Sequence, residues 1–150
     1  MSGDVVVDTS LAISWVLTEA QSPMALALAL ALLRSWQQAD VRILVPALFA
    51  SEISSALLKR RRQGLITASQ AQAGIATLLG NVTVRPIDTA IAGRALEIAD
   101  GLGMWKAYDS LYLALAEREG CPYWTADERF FNVAAGQFPA VRWLGAYAPP

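Results

Sequence analysis

Short runs of β-branched and other apolar residues recur along the chain and alternate with longer segments of helical character. Such runs predict buried strands of a parallel sheet. The predicted strands are Val5–Val7, Val41–Val45, Val82–Arg85, Pro122–Thr125 and Val141–Leu144. Because strands and helices alternate from end to end, we expect an α/β three-layer sandwich around a central parallel sheet of about five short strands.

Capping and stop signals place helices between these strands. The predicted helices are Leu11–Thr18, Ser22–Ala39, Pro46–Gly64, Thr67–Leu79, Asp88–Gly101 and Lys106–Gly120. Thr67 and Gln70 have the spacing of a capping box at the start of the fourth helix. No internal repeat, linker or low-complexity segment interrupts this order, so residues 1–150 are predicted to form a single domain.

Two of these helices are rich in apolar residues. In the second, residues 25–32 are alternating alanine and leucine, so it is apolar on every side and belongs either to the core or against another chain. The third is predicted to place Leu48, Ile53, Leu57 and Leu58 on its apolar side. The whole sequence is 55% hydrophobic and 17% charged, which favours an apolar surface reserved for a partner.

The composition restricts the chemistry that the chain can perform. It has no histidine and a single cysteine, Cys121, which excludes Ser-His-Asp catalysis, Cys-His catalysis, the common zinc sites and an intrachain disulfide. The net charge is −1, so attraction to nucleic acid requires a local patch. The longest apolar run, Met24–Leu33, is shorter than the roughly 20 residues of a membrane span. We expect a soluble protein without a signal peptide, in the reducing cytoplasm.

Four acidic residues lie at the end of a strand or near the start of a helix, namely Asp8, Glu52, Asp109 and Asp127. Three of them also have an ordinary explanation, because Asp8 can cap a helix, Glu52 can face solvent and Asp109 can interact with a helix dipole. The carboxyl ends of parallel strands form the edge where α/β proteins bind ligands. Right-handed crossovers bring the ends of the first and fourth strands together there, so Asp8 and Asp127 are expected to be neighbours.

A basic cluster ends the third helix and consists of Lys59, Arg60, Arg61 and Arg62. Cations at a helix C-terminus complement its dipole, which is sufficient to explain one or two of them. Four in succession also provide a phosphate-binding patch. The sequence leaves both interpretations open.

The acids occur in segments that resemble the PIN-domain ribonucleases, and in particular the VapC toxins of toxin–antitoxin pairs. VVVDTSLAISW resembles the opening strand with its aspartate and hydroxyl residue, and VPALFASEISSAL resembles the segment with the glutamate. YDSLYLALAEREGCPYWTADERF resembles the block that holds the third and fourth acids. Two departures are present: Ser14 precedes Trp15 where a lysine often stands, and Glu128 is either a further ligand or a helix N-terminal charge.

The resemblance implies an endoribonuclease that acts on RNA in this site, with the basic cluster as a candidate for substrate positioning. It assigns the acidic site to Asp8, Glu52, Asp109 and Asp127, with Thr9 or Ser10 orienting the first carboxylate. Four close carboxylates repel one another, so Mg²⁺ or Mn²⁺ is the expected cofactor. In-line attack by water would leave a 5′ phosphate on the product.

The resemblance also implies a small VapB-like antitoxin as a partner and a homodimer as the state of the toxin. The second helix, with Leu28 and Leu32, and the neighbouring Leu48 and Leu57 face are expected to form a groove for an amphipathic antitoxin helix.

Two other functions compete with the nuclease. The main alternative is a PIN fold with vestigial acids that only binds a partner. Phosphotransfer of the response-regulator or haloacid-dehalogenase kind is a second, but the latter requires an aspartate two residues after Asp8, where Ser10 stands.

Overall fold

The computed structural model describes residues 3–17 and 22–150. Their sheet has five parallel strands in the order β3-β2-β1-β4-β5. The strands are β1 Asp4–Val7, β2 Arg42–Pro46, β3 Thr83–Arg85, β4 Tyr123–Thr125 and β5 Val141–Trp143. The predicted α/β sandwich with a parallel sheet is confirmed, and every strand boundary lies within about one residue of its predicted position.

The helices of the described ranges connect these strands. They are α1 Thr9–Ala12, α2 Pro23–Gln38, α3 Leu48–Arg62, α4 Ala68–Gly80, α5 Thr89–Gly101, α6 Tyr108–Glu119 and α7 Glu128–Ala134. Local chemistry explains several ends: Ser22 caps α2, Thr67 and Gln70 form the capping box of α4, and Gly120 ends α6 with φ +64°. Within this part of the chain, no helix is both long enough and apolar enough to cross a membrane.

The first helix is shorter than predicted. It ends at Ala12, and a 3₁₀ turn over Ile13–Trp15 replaces the predicted continuation towards Thr18, which lies outside the described residues. The indole Nε1 of Trp15 donates to the carbonyl of Ala29 at 3.0 Å, which ties the tighter turn to α2. This contact with a distant segment explains why local propensity alone predicts the wrong length.

The predicted antitoxin groove on α2 is wrong because its main residues belong to the core. Leu32 is 2% exposed and Leu57 is 1% exposed, while Leu28 and Leu48 pack against the core cluster. A two-residue repeat distributes leucines around a helix, so one stripe of α2 still lies in the core, at Ala29, Leu32 and Trp36.

The packing of α3 differs from the prediction at one position. Ile53 and Leu57 are buried as expected, but Leu58 is 55% exposed because it lies about 100° around the helix from Leu57. On the buried side, a Cβ at Gly74 would lie 3.3 Å from the methyl groups of Leu57. The absence of a side chain at Gly74 thus allows α4 to approach α3 closely.

The sheet topology brings the four acids towards one edge. Val7 is paired with Trp124, and the amide of Asp8 donates to the carbonyl of Trp124 at 3.3 Å, so the first and fourth strands end side by side as predicted. The helix α3 starts just after β2, and α6 packs against β1 and β2. Glu52 and Asp109 therefore lie on helices that begin at the same end of the sheet.

Candidate active site

Asp8 lies at the centre of this edge and is 3% exposed. Its Oδ1 accepts hydrogen bonds from Ser10 Oγ at 2.6 Å and from the amide of Leu11 at 3.1 Å. Its Oδ2 accepts from Tyr123 Oη at 2.8 Å and from Thr125 Oγ1 at 2.5 Å. A carboxylate has about four lone-pair sites, so donors of the protein occupy all of them. Asp8 does cap α1, but it also makes three side-chain contacts that a cap does not need.

The electrostatic surroundings of Asp8 are unusual for a buried acid. Burial raises its pKa above the ordinary value, and its hydrogen bonds oppose this shift without cancelling it. Within the described residues no lysine or arginine forms an ion pair with it. A buried carboxyl that only neutral groups contact is costly to ionise, and such groups are concentrated at functional sites.

Glu52 is half-buried near the start of α3 and is not a solvated surface residue. Its Oε1 accepts from Tyr112 Oη at 2.6 Å and from Thr9 Oγ1 at 3.2 Å. The two hydroxyl residues that follow Asp8 therefore have different partners, since Ser10 donates to Asp8 and Thr9 donates to Glu52. The sequence left the choice between them open.

Two stacked tyrosines join Asp8 and Glu52. The rings of Tyr112 and Tyr123 lie 6.0 Å apart with 13° between their planes, and one hydroxyl donates to each acid. Burial raises the pKa of both phenols, so they remain donors at neutral pH. This pair was not predicted from the sequence. A signal was present, because Tyr112 lies on the same helix as Asp109 and Tyr123 lies on the strand just before Asp127. A buried phenol needs a hydrogen-bond partner for its hydroxyl, and the acids are the nearby acceptors.

Asp109 provides the clearest electrostatic evidence for a cluster. It lies in the first turn of α6, and its pKa is raised to about 7 by burial and then by the negative charges of Asp8, Asp127 and Glu52. A helix N-terminus by itself favours the ionised form and acts in the opposite direction. Asp109 is therefore close enough to the other three predicted acids for their charges to act on it.

Asp127 is linked to Asp8 through a shared hydroxyl. Its Oδ1 accepts from two backbone amides at the start of α7, so it caps that helix. Its own amide donates to Thr125 Oγ1 at 3.0 Å, and the same hydroxyl donates to Asp8. The neighbouring Glu128 is exposed in the first turn of α7, which matches a helix N-terminal charge.

The donor set fits a hard divalent cation in charge and in atom type, because it consists of carboxylate oxygens. A cation would also relieve the repulsion that raises the pKa of Asp109. The spacing is less favourable, since no group of three acids, cysteines or histidines within residues 3–17 and 22–150 is close enough to hold a metal. The lone pairs of Asp8 are all occupied. Asp8 can therefore bind a metal only if the hydroxyl of Ser10 or Thr125 turns away.

The basic cluster lies at the opposite end of α3 from Glu52. Arg60 is eight residues further along, which corresponds to about 12 Å of helix. Lys59, Arg61 and Arg62 are exposed, and the described residues contain no ion pair to any member of the cluster. These positions are outside the acidic edge and agree with both the helix-dipole and the phosphate-binding interpretations.

Comparison with known protein families gives a match to the PIN domain over residues 5–136, a span that includes all four acids. The chain belongs to the PIN-domain family. Comparison of this PIN domain with curated protein sequences finds no significant match.

Solved structures share the fold of this PIN domain. A toxin–antitoxin complex from Klebsiella pneumoniae contains a chain of 16% identity, with a TM-score of 0.66 over 93% of this chain and 97% of that one. VapC20 of Mycobacterium tuberculosis, described as a sarcin-ricin loop cleaving toxin, has 21% identity and a TM-score of 0.62, with 92% and 98% covered. VapBC2 of Rickettsia felis, bound to promoter DNA, has 14% identity and a TM-score of 0.63, with 93% and 96% covered. At these identities the likeness establishes the fold.

Proposed function

We propose that the protein is a metal-dependent endoribonuclease of the VapC toxin type. The main support is the geometry of the carboxyl edge. Asp8 is buried there without an ion pair, Thr125 connects it to Asp127, and the stacked tyrosines connect it to Glu52. The raised pKa of Asp109 agrees with this arrangement. A purely structural role gives no reason to hold unpaired acids so close together. The choice of RNA as substrate rests on the resemblance of the sequence segments and on the likeness to a sarcin-ricin loop cleaving toxin.

In this proposal the four acids hold Mg²⁺ or Mn²⁺ and the surrounding hydroxyls keep the acids in place. When bound, the ion would neutralise the carboxylates, polarise the scissile phosphate and lower the pKa of the attacking water. Ser10, Thr125 and Tyr123 orient the carboxylate of Asp8, because each donates a hydrogen bond to it. Hydrolysis would then leave a 5′ phosphate.

A small antitoxin is the proposed protein partner, at a groove that shares Leu57 with the one that the sequence predicted but does not include α2. A cavity of about 470 Å³ lies between the 3₁₀ turn after α1 and the helices α3 and α4. Its walls include Trp15, Leu57, Leu65 and Ile66, and Arg60 also lines it. Apolar walls with a basic residue suit an amphipathic helix that carries acidic side chains. The toxin–antitoxin complexes among the similar structures support an antitoxin as the partner. A homodimer remains a prediction.

Incubation of the purified chain with a single-stranded RNA and Mg²⁺ or Mn²⁺ tests the proposed activity. We expect internal cleavage with 5′-phosphate products, its loss on addition of EDTA, and its return with excess metal. Sequencing of the product 5′ ends would then identify the cleavage site. If the chain binds an antitoxin but cleaves no RNA with either metal, the alternative of a partner-binding PIN domain with vestigial acids is correct instead.

A further inference from the structure

An exposed aromatic loop adjoins the acidic edge. Trp105 is 100% exposed in the connection between α5 and α6, and Tyr108, the first residue of α6, is 53% exposed. A cavity of about 480 Å³ is lined by Glu52, Met104, Trp105, Lys106, Tyr108 and Asp109. Two candidate catalytic acids and two exposed aromatic side chains therefore share one cavity.

The backbone of this loop is anchored beside Trp105. The amide of Met104 donates to the carbonyl of Ala99 at 2.9 Å, and Gly103 has a φ of +68° that suits the tight turn. The side chains of Leu102 and Met104 pack against the core. The backbone at Trp105 is thus anchored, but its side chain is covered by nothing in the described chain, although burial of so large an apolar side chain is favourable. A ligand that covers it would recover that free energy.

Lys106 gives the same surface a positive charge. It is exposed, and no acid in the described ranges lies within 4.0 Å to form an ion pair with it. A free cation next to an aromatic surface is the combination that single-strand nucleic acid sites use, with phosphate at the cation and bases at the rings.

We propose that Trp105 and Tyr108 stack on unpaired bases of single-stranded RNA beside the scissile bond, while Lys106 contacts an adjoining phosphate. The inference rests on the proposed nuclease function, in which a metal ion held by the acids would bring the reacting phosphate to this cavity. Stacking uses the face of any base, so the loop positions the strand without reading its sequence. Bases inside a duplex are already stacked and paired, so the site selects single-stranded segments.

Binding of a fluorescently labelled single-stranded oligoribonucleotide to the full chain, measured by anisotropy in EDTA, tests this proposal. Trp105→Ala should weaken binding about 10- to 100-fold, the range for loss of one base–aromatic stack. Trp105→Phe should retain binding within about threefold, whereas Trp105→Leu, which is apolar but cannot stack, should bind as weakly as alanine. Leu96→Ala is the control, because Leu96 is 66% exposed on α5 and does not line the cavity.

Oligonucleotides with one abasic nucleotide at successive positions locate the stacked base. At that position the base and the Trp105 side chain act as one interaction, so removing both should cost no more than removing either. At all other positions, the loss of binding free energy from the missing base and the loss from Trp105→Ala should add. Equal binding by wild type and Trp105→Ala, full binding by Trp105→Leu, or additive losses at every position would overturn the proposal.

Cleavage with Mn²⁺ and the mass of the protein in solution, measured on the same variants, separate the remaining explanations. If wild type cleaves no RNA but binding still depends on Trp105, the nuclease function fails and the stacking surface stands. If Trp105→Ala leaves RNA binding intact but abolishes a dimer, the loop is an interface between copies and the stacking proposal is wrong.

Discussion

The acids on the helical surface and the acids at the carboxyl edge of the sheet have opposite surroundings. On the surface, Arg118 pairs with Asp88 at 2.7 Å and holds its pKa at about 2, and Arg94 pairs with Glu117 at 2.7 Å. At the edge, no ion pair of the described residues reaches the four acids, and the pKa of Asp109 is about 7. The surface acids have their counter-charges within the protein. Those at the edge have none within the described part of the protein.

The largest effect is expected from Asp8→Asn, which removes a charge at the edge and keeps the shape of the side chain. RNA cleavage should fall about 100-fold or more, because a carboxylate needed for the metal is lost, while circular dichroism stays unchanged. Asp88→Asn is the matched control and should cleave like wild type, since it breaks a surface ion pair while asparagine can still cap α5. If Asp8→Asn keeps activity within about tenfold of wild type, Asp8 is only a helix cap.

Metal affinity should depend on pH through Asp109. Its pKa of about 7 means that a proton competes with the metal below neutrality, so Mn²⁺ binding should weaken about tenfold per pH unit below pH 7. Asp88, with a pKa of about 2, stays ionised and adds nothing to this dependence. Titrations at pH 6, 7 and 8 measure the slope. An affinity that does not change over this range would place Asp109 outside the metal site.

Stability of the metal-free protein distinguishes a site acid from a structural one. The pKa of Asp109 is raised from 3.8 to about 7, so folding stability falls as pH rises between these values. Asp109→Asn should then stabilise the metal-free protein at pH 8 by about 1 kcal/mol, after allowance for solvent screening, or about 2–4 °C in melting temperature. Asp88→Asn should lower the melting temperature, because the depressed pKa of Asp88 means that its ionised form stabilises the fold. A lower melting temperature for Asp109→Asn would favour the helix-dipole interpretation.

The smallest effect is expected from Tyr123→Phe, which removes one of the four hydrogen bonds that Asp8 accepts. Loss of a donor to the ionised form raises the pKa of Asp8, so the acid limb of the cleavage profile should move to higher pH. At neutral pH the rate should fall only about threefold, a loss equivalent to part of one hydrogen bond. Tyr147→Phe is the control, since Tyr147 packs on Trp124 and not on an acid. An unchanged profile would mean that Tyr123 only fills the core.

The sequence predicts the sheet well because its strands are short runs of apolar residues with no competing pattern. It fails where a contact between distant segments decides the structure. The bond from Trp15 to Ala29 fixes the 3₁₀ turn after α1, and no local signal indicates it. The second helix shows the same limit, since an alternating composition does not reveal that Leu32 belongs to the core.

The candidate site divides in a similar way. The positions of Asp8 and Asp127 after apolar strands indicate that they share an edge, because strand order and direction follow general rules. The stacking of Tyr112 on Tyr123 depends on how α6 lies across the sheet, which spacing along the chain does not specify. The sequence also does not indicate that Thr9 donates to Glu52 while Ser10 donates to Asp8. These partners depend on where α3 and β4 lie in the folded protein.

Calorimetric titration of Mn²⁺ into the metal-free protein at pH 8 tests most directly whether the four acids form one metal site. Wild type should bind the ion, and each of Asp8→Asn, Glu52→Gln, Asp109→Asn and Asp127→Asn should weaken binding about 10-fold or more, while Asp88→Asn binds like wild type. Undetectable binding by wild type, or full affinity in variants at the edge, would contradict a metal site at the carboxyl edge of the sheet.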